Sequence, residues 1–241
     1  PTIRNSRIEL SSGHGITSIN AGPRLYANTI QLNVSYPVFV SGAANLDYRT
    51  PNEPTLPENV FQLNGVEGVG LAPGGVAGTW RKPGNPAYPY VATGNLLING
   101  NPLTIDPGVI VKMMAGTELQ LAGGGASRSL SAQGTSADTI VFTALTDDAY
   151  GGDTNHDGAN TVPEPGYWNR ILLNGNDAGD VINLKYCVVR YGGSANTSSI
   201  YAFGIGVATV RECRIEHGKG PGLRSENCTL RLYNSTVQFN E

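Results

Sequence analysis

Residues 153–164 read DTNHDGANTVPE, with oxygen-bearing side chains at alternate positions before a glycine. The stretch fits D-x-[DN]-x-[DN]-G-x5-E, the pattern of a calcium loop. Asp153, Asn155 and Asp157 fall at positions 1, 3 and 5, and Gly158 sits at the sharp turn. Ala159 would offer its backbone carbonyl, Thr161 stands at position 9, and Glu164 at position 12 could bind through both oxygens. Hard oxygen donors without thiol or imidazole suit Ca²⁺ rather than a transition metal. Asn160 stands where an EF-hand has an aliphatic residue, Pro163 occupies position 11, and no helical pattern flanks the loop. The loop alone is therefore expected, with Glu164 as its weakest ligand. The alternative is an Asx-rich surface turn that needs no metal. Asp147 and Asp148, just upstream, either complete the site or cap a turn.

Other chemistry is sparse. A polysaccharide hydrolase needs two or three carboxylates about 5 to 10 Å apart. Asp177, Asp180, Glu212, Glu216 and Glu226 recur at no spacing that would gather them. Arg190, Arg211 and Arg214 alternate with apolar positions and read as a solvated face. His14, His156 and His217 have no Ser or Cys partner implied by spacing, so no catalytic residue is expected. Tyr88 and Tyr90, in the proline-rich stretch RKPGNPAYPYV at 81–91, and Trp80 just before it are candidate glycan contacts. Trp168 reads as a seal on a turn. Sequons at Asn33, Asn196, Asn227 and Asn234 are weak signals in a chain so rich in Asn, Ser and Thr.

The elements that must position these residues read as strands. Apolar and polar residues alternate at Leu103 and Ile105, at Val109, Val111 and Met113, and at Leu119 and Leu121. Gly, Asn, Asp or Pro interrupts every few residues, and no helical period lasts three turns. With 32 glycines and 15 prolines in 241 residues, long helices are excluded. Charged residues are 15% of the chain and the net charge is −3, with no basic block, so nucleic acid is not an expected partner. No apolar run reaches membrane-spanning length, so no membrane insertion is expected. The chain opens PTIRNS without a signal peptide, as a processed product or a piece of something longer would. Of three cysteines, Cys187 and Cys213 occupy the same place in two similar segments and read as small buried residues. The acidic, proline-bearing stretch 45–60 reads as an exposed loop, and 81–91 as a second such loop projecting outward.

Repetition narrows the fold. Cys187-x-Val189-x-Tyr191-Gly192 returns as Cys213-x-Ile215-x-His217-Gly218 and as Ser235-x-Val237-x-Phe239-Asn240, at spacings of 26 and 22 residues. A period in the low twenties with inward aliphatics suits a coil of a parallel β-solenoid. An antiparallel sandwich also alternates, but needs no such echo. His217 falls where the other coils carry Tyr191 and Phe239, which implies a stacked ladder.

The stretches NPLTIDPGVIVKMMAGTELQLAG, SAQGTSADTIVFTALTDD, GGDTNHDG, GYWNRILL and CVVRYGG, in this order, resemble the right-handed parallel β-helix regions of secreted bacterial surface proteins, within the pectate-lyase-like fold group. The resemblance runs from Thr79 and Trp80 to the C-terminus. It implies an all-β, right-handed parallel β-helix in an extracellular or cell-surface setting. It says little of function, because that fold carries lyases, hydrolases, tailspikes and adhesin stalks alike.

A longer echo overlies the coil period. Residues 3–33 align without a gap on 210–240 at an offset of 207, with 14 of 31 positions identical. Unrelated segments would share roughly two. The whole chain, 1–241, thus reads as a single β-helix domain holding one 207-residue repeat and the start of the next, with copies of itself end to end as partners. The expected function is a non-catalytic, calcium-stabilised structural repeat of an extracellular stalk, adhesin or filament. The alternatives are a carbohydrate-active enzyme, lyase or hydrolase, and a glycan-binding module that meets surface glycans through Trp80, Tyr88 and Tyr90.

Overall fold

The computed structural model describes residues 1–42, 58–84, 86–121, 123, 128–194 and 197–241. Among them the chain is strands joined by turns, with no helix, and every recorded strand pair is parallel. That excludes the antiparallel sandwich.

A nine-stranded sheet shows how the chain is laid down. Its order, from Ile16–Ile19 through Val38–Ser41, Val69–Leu71, Tyr90–Ala92, Ile110–Met113, Ile140–Ala144, Cys187–Arg190 and Arg214–Glu216 to Thr236–Gln238, is the order of the sequence. Each return of the chain adds one parallel strand beside the last. A ten-stranded sheet runs alongside, with its long members Arg170–Lys185 and Ile200–Arg211 paired in register on both sides of a shift between Asn176 and Val181. Smaller sheets join Thr2–Arg4 to Arg24–Tyr26, and Arg7–Glu9 to Thr29–Gln31 and Val60–Gln62.

Registration of equivalent residues makes the core. Val38, Val69, Tyr90, Val111, Phe142, Val189 and Ile215 face one another strand by strand, and all are fully buried. A second column runs through Leu96, Leu119, Ile171 and Ile200, and a third through Leu103, Leu130, Ile182 and Ala208. No strand here can bury its apolar side alone, so each column is stabilised by its neighbours above and below. Cys187 and Cys213 are buried and unbridged, as expected of small core residues. The rings of Tyr191, His217 and Phe239 stack at 5.6 and 5.3 Å.

Corners are turned by single residues in the left-handed region. Tyr186 (φ 46°) separates Arg170–Lys185 from Cys187–Arg190, and Glu212 (φ 54°) separates Ile200–Arg211 from Arg214–Glu216. Each moves the chain from the ten-stranded to the nine-stranded sheet. Buried asparagines hold other corners together. Asn33 Nδ2 donates to Asn64 Oδ1 at 2.8 Å, and Asn28 Nδ2 to Asn59 Oδ1 at 3.0 Å, while Asn64 and Asn59 donate onward to the Ile30 and Leu25 carbonyls. A buried amide is tolerated only with its hydrogen bonds made, and these are. Asn33 is thus a structural residue rather than an exposed sequon; Asn227 and Asn234 are exposed, and Asn196 lies outside the described residues.

The two proline-rich stretches fare differently. Positions 45–57 lie outside the described residues. The stretch 81–91 does not form the outward loop its composition implied: Pro83, Gly84 and Pro89 are buried, and Tyr90 and Val91 belong to a core strand.

Candidate functional site

The oxygen-rich loop emerges between Ile140–Ala144 and Arg170–Lys185, where 47 residues separate paired positions Val141 and Val188 rather than the 22 separating Arg214 and Thr236. It is an insertion between the sheet strands Ile140–Ala144 and Arg170–Lys185, and its attachments are specific. Thr154 is fully buried, and its carbonyl accepts the Glu67 N–H at 2.9 Å. Lys112, fully buried beneath, donates from Nζ to the Gly152 carbonyl at 2.7 Å. Burial pulls the Lys112 ammonium down to about 8, against the opposing pull of Asp148, Asp147 and Asp153.

Within the loop Asp153 organises the backbone. Its Oδ1 accepts the Asp157 N–H at 3.1 Å and its Oδ2 the Gly158 N–H at 2.9 Å. His156 (φ 55°) and Gly158 (φ 64°) both adopt left-handed backbone, and at Gly158 the absence of Cβ makes this cheap. Asn155 Nδ2 donates to Asp157 Oδ2 at 2.7 Å, and the Thr161 hydroxyl donates to the same oxygen. So Asp153, Asn155, Asp157 and Thr161 are brought together as the spacing implied.

Two oxygens are left over. Asn155 Oδ1 and Asp157 Oδ1 are both shielded from solvent and have no hydrogen-bond partner among the described residues. A shielded carboxylate oxygen without a donor costs free energy that a bound cation would return. Asp148 sits in the same field: burial raises its carboxyl pKa, and Asp153, Asp157 and Asp147 raise it further, against the lowering by Lys112. Among the described residues no three His, Cys, Asp or Glu side chains form a ready-made metal cluster. The donor set is two carboxylates, one amide oxygen and a hydroxyl, which fits Ca²⁺ better than Zn²⁺.

The remaining expected ligands stand less close. Ala159 and Glu164 are both exposed. Glu164 contributes its backbone carbonyl, which accepts the Tyr167 N–H at 3.1 Å, and no recorded hydrogen bond joins its carboxylate to the loop. Asp147 caps a turn: it accepts from the Thr143 hydroxyl and the Ala149 N–H, and it pairs with Arg190 at 3.6 Å.

The aromatic candidates are a correction. Trp80 and Tyr90 are 2% and 0% exposed and stack on each other at 5.1 Å, with the Tyr90 hydroxyl donating to the Arg81 carbonyl. Neither can present a face to a sugar. Tyr88 is half-buried against Phe61, its hydroxyl donating to the Phe61 carbonyl and accepting the Phe61 N–H. Trp168 is also fully buried and donates from Nε1 to the Arg190 carbonyl. Tryptophan and tyrosine beside a strand were drawn inward by their apolar area.

Sequence reasoning also missed charged residues placed inside. Arg190 is not on a solvated face: its side chain lies between Asp147 and Glu216, over the rings of Tyr191 and Tyr150. Arg128 and Asp180 form an ion pair with side chains 1% and 0% exposed. The one available signal was Lys112 itself, a charge amid the apolar run VIVKMM. No family model, curated protein or solved structure matches this chain.

Proposed function

We propose that the chain is a right-handed parallel β-helix serving as a non-catalytic structural repeat of an extracellular or cell-surface stalk, adhesin or filament, with Ca²⁺ bound in the 153–164 loop and copies adjoining end to end. One observation carries this reading: the 207-residue echo extends to the backbone. Asn5, Leu10, Asn20, Ala27 and Leu32 take left-handed φ values, and so do Glu212, His217, Asn227, Asn234 and Phe239, their counterparts at the same offset. Strand register repeats as well. Ile3 faces Leu25 as Val210 faces Leu232, and Ile8 faces Ile30 as Ile215 faces Val237. Generic similarity of composition would not reproduce five corners and their pairing. The tandem form is tested by joining residues 1–207 to a second copy, 1–241. A continuous repeat should melt in one transition above that of the single chain, because an internal junction replaces two exposed faces. Two independent transitions, with a flexible junction in small-angle scattering, would refute it.

The loop is tested separately. Ca²⁺ should bind with a dissociation constant on the order of 10⁻⁴ M, as in extracellular modules. At about 1 mM Ca²⁺ the native state then gains about 1.4 kcal/mol, since RT ln(1 + [L]/Kd) applies to a ligand of the folded state alone. Scanning calorimetry should show a melting temperature that rises with Ca²⁺ in the unsubstituted chain and is indifferent to it in Asp157→Ala. A variant that retains the full calcium response would remove this loop from consideration.

A further inference from the structure

We infer that the outer face of the ten-stranded sheet carries a binding site for a phosphate monoester on a hydroxyl-rich body, a sugar phosphate, held between Lys185 and Arg211. The inference goes beyond the calcium loop and the repeat and depends on neither.

Alternation builds the site. In Ser129–Gln133 and in the second halves of Arg170–Lys185 and Ile200–Arg211, every other residue is enclosed. Leu130, Ile182 and Ala208 form one buried row, and Ala132, Leu184 and Val210 form the next. The residues between them point to the other side of the sheet. In register they make two outer rows: Ser131, Asn183 and Thr209, then Gln133, Lys185 and Arg211. These six side chains line a groove of about 450 Å³, with buried Leu184 between the rows. A volume of that order takes a small ligand, and walls so polar suit one covered in hydroxyls.

Charge selects the ligand. Lys185 and Arg211 face each other in register on adjacent strands, where like charges repel. Lys185 has a carboxylate near it, Glu212, at 4.0 Å. Arg211 lies over the Tyr233 ring at 5.7 Å and makes no hydrogen bond or ion pair among the described residues. Arg231 continues the first row beside Thr209 and adds a third cation. Three cations less one carboxylate leave two positive charges unmatched, on a chain whose net charge is −3. A phosphate monoester brings about −1.5 to −2 at neutral pH, whereas a carboxylate or sulfate ester would leave one of the two unmatched.

The donors suit the same group. The Arg211 fork can give two parallel N–H bonds to phosphate oxygens, and the Lys185 ammonium reaches a third oxygen as a point charge. Among the described residues the side chains of Ser131, Asn183 and Thr209 make no hydrogen bonds, so two hydroxyls and an amide remain for the hydroxyls of the ligand body. Gln133 Nε2 donates to the Asn183 carbonyl at 3.0 Å, which leaves Gln133 Oε1 as an acceptor.

The test titrates glucose 6-phosphate calorimetrically into the full chain, in calcium-free buffer of low ionic strength. It should bind at one site with a dissociation constant on the order of 10⁻³ M or tighter. Arg211→Gln and Lys185→Gln should each weaken it about tenfold, the usual loss for one charge-assisted contact. Inorganic phosphate and glucose 6-sulfate should each bind about tenfold more weakly than glucose 6-phosphate, and glucose should not bind. Asn183→Ala with Thr209→Ala should bring the ester down to the level of inorganic phosphate while leaving inorganic phosphate unchanged. No binding of the ester, or binding indifferent to both charge substitutions, overturns the site. Inorganic phosphate held as tightly as the ester means an adventitious ion only, and glucose 6-sulfate held as tightly overturns the choice of a dianion. Should Arg211→Gln fail to fold, Lys185→Gln on the neighbouring strand decides the same question.

Discussion

Replacing Asp180 by alanine should cost about 3 to 5 kcal/mol, the usual penalty for leaving one member of a buried ion pair alone. Arg128 is held from every side: Nε and Nη2 reach Asp180, Nη1 donates to the Gly123 carbonyl at 2.7 Å, and Nη2 also meets Asn176 Oδ1. Asp180 in turn accepts the backbone N–H groups of Arg128, Asn176 and Asp177. Burial alone would push the Asp180 carboxyl up, but the guanidinium and these N–H groups prevail and hold it below the ordinary value. The network spans the register shift between Asn176 and Val181, so it fixes how the long strand bends. In a chain of this length a loss of that size lowers the melting temperature by on the order of 10 °C. Asp180→Leu combined with Arg128→Met should recover much of the loss, because no charge is then stranded. A single variant as stable as the parent would mean that water reaches Arg128. Because the folded carboxyl titrates below the unfolded one, its contribution is present above the unfolded value near 3.9 and fades as acid protonates it.

Raising the pH from 8 towards 10 in calcium-free buffer should make the protein more stable. Lys112 titrates at about 8 in the fold and near 10.5 when unfolded, so between those values the unfolded chain binds the extra proton. A lowered lysine therefore costs stability in full below pH 8, and the cost is relieved as pH rises through the window. The full relief is on the order of 3 kcal/mol by the value of a pKa unit. Tyr36, pushed up to about 12 by burial, acts in the opposite sense above pH 10, which closes the window there. Denaturant melts at pH 8, 9 and 10 should show the rise, and Lys112→Met should abolish it. A flat profile in the parent would show that the ammonium keeps enough solvent or carboxylate contact to titrate normally. The Met variant also loses the hydrogen bond to the Gly152 carbonyl.

Alternation and echo were legible in the chain because both are local or exact properties of it. Leu103 and Ile105 alternate with Thr104, and Leu119 and Leu121 with Glu118 and Gln120, and a period of two commits one face of a strand to the interior wherever that strand lies. The same holds for the corners: the 207-residue echo was visible in residue identity before it was visible in φ. The loop at 153–158 was legible because Asp, Asn and Gly dictate a tight turn through contacts only a few residues apart.

Long-range register was legible only over the last two returns, of 26 and 22 residues, and not before them. The nine-stranded sheet returns after 22, 31, 21, 21, 31, 47, 26 and 22 residues, read from Ile16 to Thr236, so no fixed period says which residue meets which. That register alone put Tyr90 in a column between Val69 and Val111, beneath any sugar's reach. It also placed Arg128 against Asp180, 52 residues away, and Lys112 under Gly152, 40 residues away. A charged side chain is buried only where partners converge on it, and convergence is a property of strands paired far apart in the sequence rather than of neighbours in the chain. The sequence determined which faces are apolar and which turn gathers oxygen-bearing side chains; the tertiary structure decided which charges and rings those faces enclose.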